Sequence, residues 1–144
     1  MAESFKKTTA TVIPGMRYKV APAAIKWLCR AFGFKEHLIV PDEDDKIAHA
    51  QLTFGNGMIM VGSDRDDEYL NHQKSPSDLG GYNSQSPYII VKDIDKHYKR
   101  ALKADAEIVT QLVEQDYGGK HYSCKDPEGY LWHFGSYNPW DLED

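Results

Sequence analysis

The turn and strand that decide the fold are Asp126-Pro127-Glu128-Gly129-Tyr130-Leu131-Trp132-His133-Phe134-Gly135, near the end of a chain of 144 residues. Pro127 presets the first turn angle, and Gly129 accepts a φ that other residues avoid. From Tyr130 onward, side chains alternate between the two faces of a strand. One face is then aromatic and suits packing against helices. The other is mixed and carries His133, which suits a wet concave surface.

A weaker copy of this turn and strand lies in the first half of the chain, at residues 54–62. Gly57 precedes Gly129 by 72 residues, and His49 precedes His121 by the same offset. The predicted first strands of the two halves are 71 residues apart. Two halves with the same order of elements indicate an internal duplication.

The spacing of apolar residues predicts the same elements in each half. The first half has a strand at 11–20, a helix at 21–32, a strand at 34–40 and a hairpin of strands 47–54 and 58–63. The second half has a strand at 87–91, a helix at 93–104 that begins at Asp93, and strands at 107–114, 117–125 and 130–137. These periodicities and caps predict an α+β fold of paired β-α-β-β-β units, with eight strands and two main helices.

The whole chain, residues 1–144, is predicted to be a single domain of two repeats, at about 11–63 and 86–137. A polar segment at 64–85 joins the repeats. Segments of this length are usually functional lids or disordered connectors. Both alternatives stay open at the level of the sequence.

Composition narrows the class of protein. A net charge of −5 disfavours nucleic acid as a partner, because phosphate binding needs a basic patch. No apolar window is long enough for a membrane span, and the first residues lack the apolar segment of a secretory signal. Two cysteines, Cys29 and Cys124, make neither a disulfide framework nor a metal knuckle. We therefore expect no membrane partner and a location in the reducing cytoplasm.

Motif searches return no catalytic signature. The sequence has no phosphate loop, no dinucleotide glycine fingerprint and no GxSxG elbow. No nucleophile stands beside a base at a recognisable spacing. The acidic runs at 42–45 and 64–68 are interpreted as solvated loops, with a cation-attracting rim as the alternative.

The chain resembles the vicinal oxygen chelate superfamily, which includes glyoxalase I, bleomycin-resistance proteins, fosfomycin-resistance enzymes and extradiol dioxygenases. The resemblance lies in the Asp126–Gly129 turn with its aromatic strand and in Ala31-Phe32-Gly33-Phe34 at the end of the first helix. It covers about residues 11–137, and the last third is similar to an uncharacterised glyoxalase-like branch. The resemblance implies two units curled around a central cavity, and a homodimer.

The resemblance also bears on metal binding. Many members hold a divalent metal with four side chains, one from the first and one from the last strand of each unit. Carried over, these positions are Gly15, Val61, Ser86 and His133. Only His133 is a good ligand, so we expect no cofactor and disfavour a divalent metal. An alternative set in which His49 and His121 join His133 stays open.

Strand alternation predicts which side chains face the cavity. The predicted set is Arg17, Lys19, His49, Gln51, Ile59, Val61, Tyr88, Ile90, His121, Ser123, Leu131, His133 and Tyr137. Among them, Arg17, Lys19, Tyr88, His121 and Tyr137 are candidate ligand-binding residues, the two cations for an anionic group and the tyrosines for stacking. His133 is the candidate acid or base, because its reference pKa lies near neutrality. The alternative for each is a structural or surface role.

The sequence thus predicts a glyoxalase-like protein that binds a small molecule in a cup-shaped cavity without the usual metal. One alternative is a metal-dependent lyase or dioxygenase with a rearranged ligand set. Another is an interaction module whose cup is filled by its own side chains. Whether the chain is an enzyme is left open.

Overall fold

The computed structural model describes residues 9–141. The first unit in this range contains β1 (Gly15–Tyr18), α1 (Ala21–Phe32), β2 (Lys35–Pro41), β3 (Ile47–Phe54) and β4 (Gly57–Ser63). The second contains β5 (Tyr88–Ile90), α2 (Ile94–Lys103), β6 (Glu107–Glu114), β7 (Lys120–Lys125) and β8 (Leu131–Gly135). The α+β class and the paired β-α-β-β-β units are confirmed.

The chain separates into two compact units, Met1–Ser75 and Pro76–Asp144. Each unit has one four-stranded sheet, in the orders β1-β4-β3-β2 and β5-β8-β7-β6. In both sheets the first strand pairs parallel with the last, and the remaining pairs are antiparallel. The segment predicted to be a loop at 64–85 holds two short 3-10 turns, Glu68–Asn71 and Pro76–Leu79. Neither helix in residues 9–141 is long and apolar enough to cross a membrane.

Helix α1 lies where its periodicity predicts. Gly33 ends it in the left-handed conformation with φ 89°, where its N–H donates to the carbonyl of Cys29. Leu28 and Phe32 are fully buried on the helix. The helix contacts β1 and β4, so its apolar face and the inner face of the first sheet form the core of this unit.

The prediction that Ile59 and Val61 face the cavity is wrong. Val61 pairs with Ala50, and both are buried among the core residues, as is Ile59. Met60 pairs with Gln51 and is half-buried on the opposite, open face. Val61 therefore does not occupy the position in the first unit that corresponds to His133.

The length of a turn explains this error. The chain between the paired residues Thr53 and Met58 is one residue shorter than the chain between their counterparts Lys125 and Leu131. An offset of 72 residues holds before the turn, and 73 holds after it. Because side chains on a strand alternate, a shift of one residue moves every side chain to the other face.

The turn at Asp126 is organised by its own carboxylate. Oδ1 accepts the backbone N–H groups of Glu128 and Tyr130, at 3.0 Å each, and Oδ2 accepts Trp132 Nε1–H at 3.1 Å. Asp126 is only 4% exposed. Gly129 has φ 89°, as the sequence predicts for this turn. A buried acid thus fixes the turn that starts β8.

The aromatic face of β8 forms the core of the second unit. Trp132 and Phe134 are fully buried, with the rings of Tyr122 and Phe134 stacked at 5.3 Å between centroids. His97 on α2, expected on the helix surface, is also buried, and its Nδ1 lies 2.6 Å from the Tyr122 hydroxyl. The prediction for His97 is wrong because this hydrogen bond to β7 makes the burial of an imidazole favourable.

Candidate functional site

The open face of the second sheet collects the polar residues that the sequence predicts for the cavity. His133 on β8 pairs with Tyr88 on one side and with Ser123 on the other. His121 lies two residues from Ser123 on β7 and therefore shares its face. These side chains come from three adjacent strands, so the sheet itself fixes their positions.

His133 is held by two serine hydroxyls. Its Nε2 lies 2.8 Å from Ser86 Oγ, and its Nδ1 lies 2.6 Å from Ser123 Oγ. Ser123 Oγ also lies 3.2 Å from His121 Nε2, and the two imidazole rings stack with 5.8 Å between centroids. His121 Nδ1 is buried and has no hydrogen-bond partner within residues 9–141. The four residues therefore form one hydrogen-bonded chain.

The sequence did not indicate the contact between Ser86 and His133. The two residues are 47 positions apart, and no motif links them. They meet because β5 pairs parallel with β8, where His133 N–H donates to the carbonyl of Pro87 at 3.1 Å. The statement that no nucleophile stands beside a base is therefore wrong in three dimensions.

The surroundings of His133 favour its neutral form. Burial lowers the pKa of the imidazole below its ordinary value, and the nearby ring of His121 lowers this pKa further. At neutral pH one ring nitrogen of His133 then donates a hydrogen bond and the other accepts one.

This pKa shift predicts a pH dependence of stability. Between the lowered pKa of folded His133 and the ordinary value of 6.5, the unfolded chain binds more protons, so stability falls as the pH falls through this window. We expect His133→Gln to show a smaller loss of unfolding free energy from pH 7 to pH 5 than the wild type in urea titrations. Parallel curves for the two proteins would contradict the prediction.

Tyrosines border the histidine chain. The Tyr88 hydroxyl donates to the backbone carbonyl of Tyr137 at 2.7 Å, and the rings of Tyr117 and Tyr137 meet edge to face at 4.8 Å. The ring of Tyr88 lies so close to Gly135 that a Cβ at that position would overlap its hydroxyl. Burial and the two neighbouring tyrosines raise the pKa of Tyr88, so its phenol stays neutral.

The open side of the first unit is arranged differently. Arg17 lies on it, but its guanidinium forms two hydrogen bonds to Asp67, at 3.0 and 3.2 Å, and stacks 3.8 Å above the Tyr69 ring. This pairing holds the pKa of Asp67 below its ordinary value. An anion at Arg17 has to displace Asp67, so the predicted anion clamp stays a prediction. Lys19 is exposed in the turn after β1, and its predicted role also stays a prediction.

A small cavity of about 230 Å³ lies on this side of the first unit. Its lining includes Gly15, His49, Met60, Arg65 and Tyr69. The Arg65 guanidinium donates to the backbone carbonyl of Ala48 at 2.9 Å. The segment after β4 is therefore attached to the first sheet through Arg65 as well as through Asp67.

The residues present do not fit a divalent metal of the kind that the resemblance implies. Gly15 pairs with Met60 as Tyr88 pairs with His133, so the first unit offers neither imidazole nor carboxylate at the last-strand position. In the second unit, Ser86 occupies the ring nitrogen of His133 with a neutral hydroxyl. No group of three or more His, Cys, Asp or Glu side chains within residues 9–141 is placed to hold a metal, so the set of His49, His121 and His133 is not assembled.

Comparisons with known proteins agree with this fold. Residues 13–134 match the family model described as the Glyoxalase/Bleomycin resistance protein/Dioxygenase superfamily. An uncharacterised protein of Mycobacterium tuberculosis is 32% identical over 80% of this chain and 67% of its own length, and one of Mycobacterium bovis is 32% identical over 80% and 75%.

Two solved structures illustrate the likeness. TioX from Micromonospora sp. ML1 is 31% identical, with a TM-score of 0.70 over 88% of this chain and 97% of its own. A lactoylglutathione lyase from Agrobacterium tumefaciens is 15% identical, with a TM-score of 0.65 over 93% and 98%, and supports the fold alone. The chain belongs to the glyoxalase/bleomycin resistance protein/dioxygenase superfamily.

Proposed function

We propose that the protein binds an uncharged, planar small molecule on the open face of its second sheet, without the family's divalent metal. The observation that carries this proposal is that both ring nitrogens of His133 are engaged by serine hydroxyls. A metal at His133 has to displace Ser86, and the neighbouring strand positions supply no carboxylate in exchange. A homodimer, which the family resemblance implies, is part of the same proposal.

The chemistry of this face favours a neutral ligand. The imidazole of His133 and the phenol of Tyr88 are both held in their neutral forms. Hydroxyl and imidazole groups donate and accept hydrogen bonds without a net charge. The rings of Tyr117 and Tyr137 add aromatic surface beside them. A heteroaromatic ligand with ring nitrogens or carbonyls matches this combination of stacking and hydrogen bonding.

Binding is tested by calorimetry with the wild type and two matched histidine variants. A library of planar heteroaromatic compounds is screened first by thermal shift. We expect a hit to bind His133→Gln at least tenfold more weakly than the wild type, because the substitution breaks the hydrogen-bonded chain. His49→Gln is the control, since His49 lies on the open side of the first unit and bonds Gln51 instead.

Two outcomes contradict the proposal. One is unchanged affinity in His133→Gln. The other is near-stoichiometric Ni²⁺, Zn²⁺, Mn²⁺ or Fe²⁺ in the purified wild type that disappears in His133→Gln. The second outcome supports a metal-dependent lyase or dioxygenase instead.

A further inference from the structure

We propose that Ser86 is a nucleophile activated by His133, and that the second unit catalyses acyl transfer from activated esters to water. Ser86 Oγ lies 2.8 Å from His133 Nε2, within the range for proton transfer to a general base. The opposite nitrogen, Nδ1, is held by Ser123 Oγ at 2.6 Å. A nucleophile, a base and a group that orients the base therefore stand in one line.

The geometry singles out Ser86 over Ser123. Both hydroxyls contact His133, but Ser123 is only 3% exposed and is also bonded to His121. Ser86 lies outside the strands, directly before β5, and is half-buried. The serine that a substrate reaches more easily is therefore the one at Nε2.

One arrangement of protons makes the chain competent. The Ser86 hydroxyl donates to His133 Nε2, His133 Nδ1–H donates to Ser123 Oγ, and the Ser123 hydroxyl donates to His121 Nε2. His121 then carries its own proton on Nδ1, the ring nitrogen without a partner within residues 9–141. This arrangement leaves Nε2 of His133 as an acceptor for the Ser86 proton.

Acylation and deacylation balance with water as the only co-reactant. Ser86 Oγ attacks the ester carbonyl carbon while its proton passes to His133 Nε2. The bond to the leaving alkoxide breaks as that proton passes on to the alkoxide, which leaves as an alcohol. Water then attacks the acyl-serine, gives its proton to Nε2, and Ser86 recovers that proton as the carboxylic acid departs. No redox change occurs.

Ser123 and His121 act as positioning residues in this scheme. When His133 is protonated, its Nδ1 proton can shift to Ser123 Oγ as the Ser123 proton shifts to His121 Nε2, so the positive charge is shared by two imidazoles. Neither group carries the negative charge that a carboxylate supplies at this place in hydrolases. We therefore expect slow turnover and a preference for good leaving groups, such as aryl esters and thioesters.

The first test is covalent labelling with a fluorophosphonate probe, located by peptide mapping. We expect the label on Ser86 in the wild type and in Ser84→Ala, whose exposed serine lies two residues upstream, and no label in Ser86→Ala. His133→Gln is expected to slow labelling at least 100-fold, in line with the usual contribution of a general base. Ser123→Ala should slow it less, and circular dichroism checks that each variant is folded.

A second variant keeps the proposal testable if His133→Gln does not fold. A thiol at position 86 beside His133 forms a thiolate more readily than one in solvent. Ser86→Cys is therefore expected to react with iodoacetamide at least tenfold faster than Ser84→Cys. Burial raises the pKa of the native Cys124 thiol to about 12, so its background reaction is small, and mapping separates the half-buried Cys29.

The inference rests on the proposed function only in requiring that the open face admit a small molecule. It is overturned if the wild type is not labelled at Ser86, if His133→Gln is labelled as fast as the wild type, or if the two introduced thiols react equally. Reversible ligand binding without labelling overturns the inference and leaves the proposed function standing. Labelling of Ser86 without binding of any planar ligand has the opposite meaning.

Discussion

Asp126→Ala is expected to lower the free energy of unfolding by about 3–5 kcal/mol, the largest loss that we predict for a polar residue. The carboxylate accepts three hydrogen bonds, one of them from the buried Trp132 indole. Alanine leaves that N–H without its acceptor inside the core, where an unsatisfied donor is costly. It also releases the two backbone N–H groups that fix the turn before β8. Urea denaturation followed by circular dichroism measures the loss.

Two variants separate the hydrogen bonds from other effects at this turn. Asp126→Asn keeps one carbonyl oxygen, so it should retain part of the network and lose about half as much stability. Asp116→Ala is the matched control, because Asp116 is exposed in the loop before β7. Its expected change is within about 0.5 kcal/mol. If Asp126→Ala falls within 1 kcal/mol of the wild type, the carboxylate does not organise the turn.

Gly119→Ala is expected to destabilise the protein by about 2–4 kcal/mol, and the reason is both conformational and steric. Gly119 has φ +75°, and an added Cβ would lie 2.7 Å from Ser136 Oγ and 2.8 Å from the backbone nitrogen of Tyr137. Ser136 Oγ accepts the Lys120 N–H at 2.9 Å, so the clash opens the junction between β7 and the end of β8. Thermal and urea unfolding measure the effect.

Gly118→Ala is the control for the steric part. Gly118 also has a positive φ, +111°, but an added Cβ meets nothing within 4 Å. It should therefore lose only the conformational part, about 1–2 kcal/mol. Equal losses for the two variants would show that contact with Ser136 and Tyr137 adds nothing.

Local sequence signals located most of the elements. The helix at Ala21–Phe32 and the strands at Ile47–Phe54 and Glu107–Glu114 match the predicted bounds. The predicted strand at 117–125 starts too early, because two positive-φ glycines form a turn before Lys120. Periodicity and glycine placement depend on neighbouring residues, so the sequence alone carries them.

The repeat predicted the open face of the second sheet but not that of the first. His121 and His133 share a face as expected, whereas Val61 lies in the core. The difference is one residue in the length of a turn. No property of the strand at Gly57–Ser63 reveals that difference, because both of its faces carry apolar side chains.

The sequence by itself determined the fold class, the duplication and the residues that build the turn at Asp126. Only the tertiary structure decided which polar groups meet: Ser86 with His133, 47 residues apart, and Arg17 with Asp67, 50 residues apart. The physical reason is that secondary structure follows from side chains close in the sequence. A hydrogen bond between distant side chains depends instead on strand pairing and on the path of the connecting loops, which no local pattern encodes.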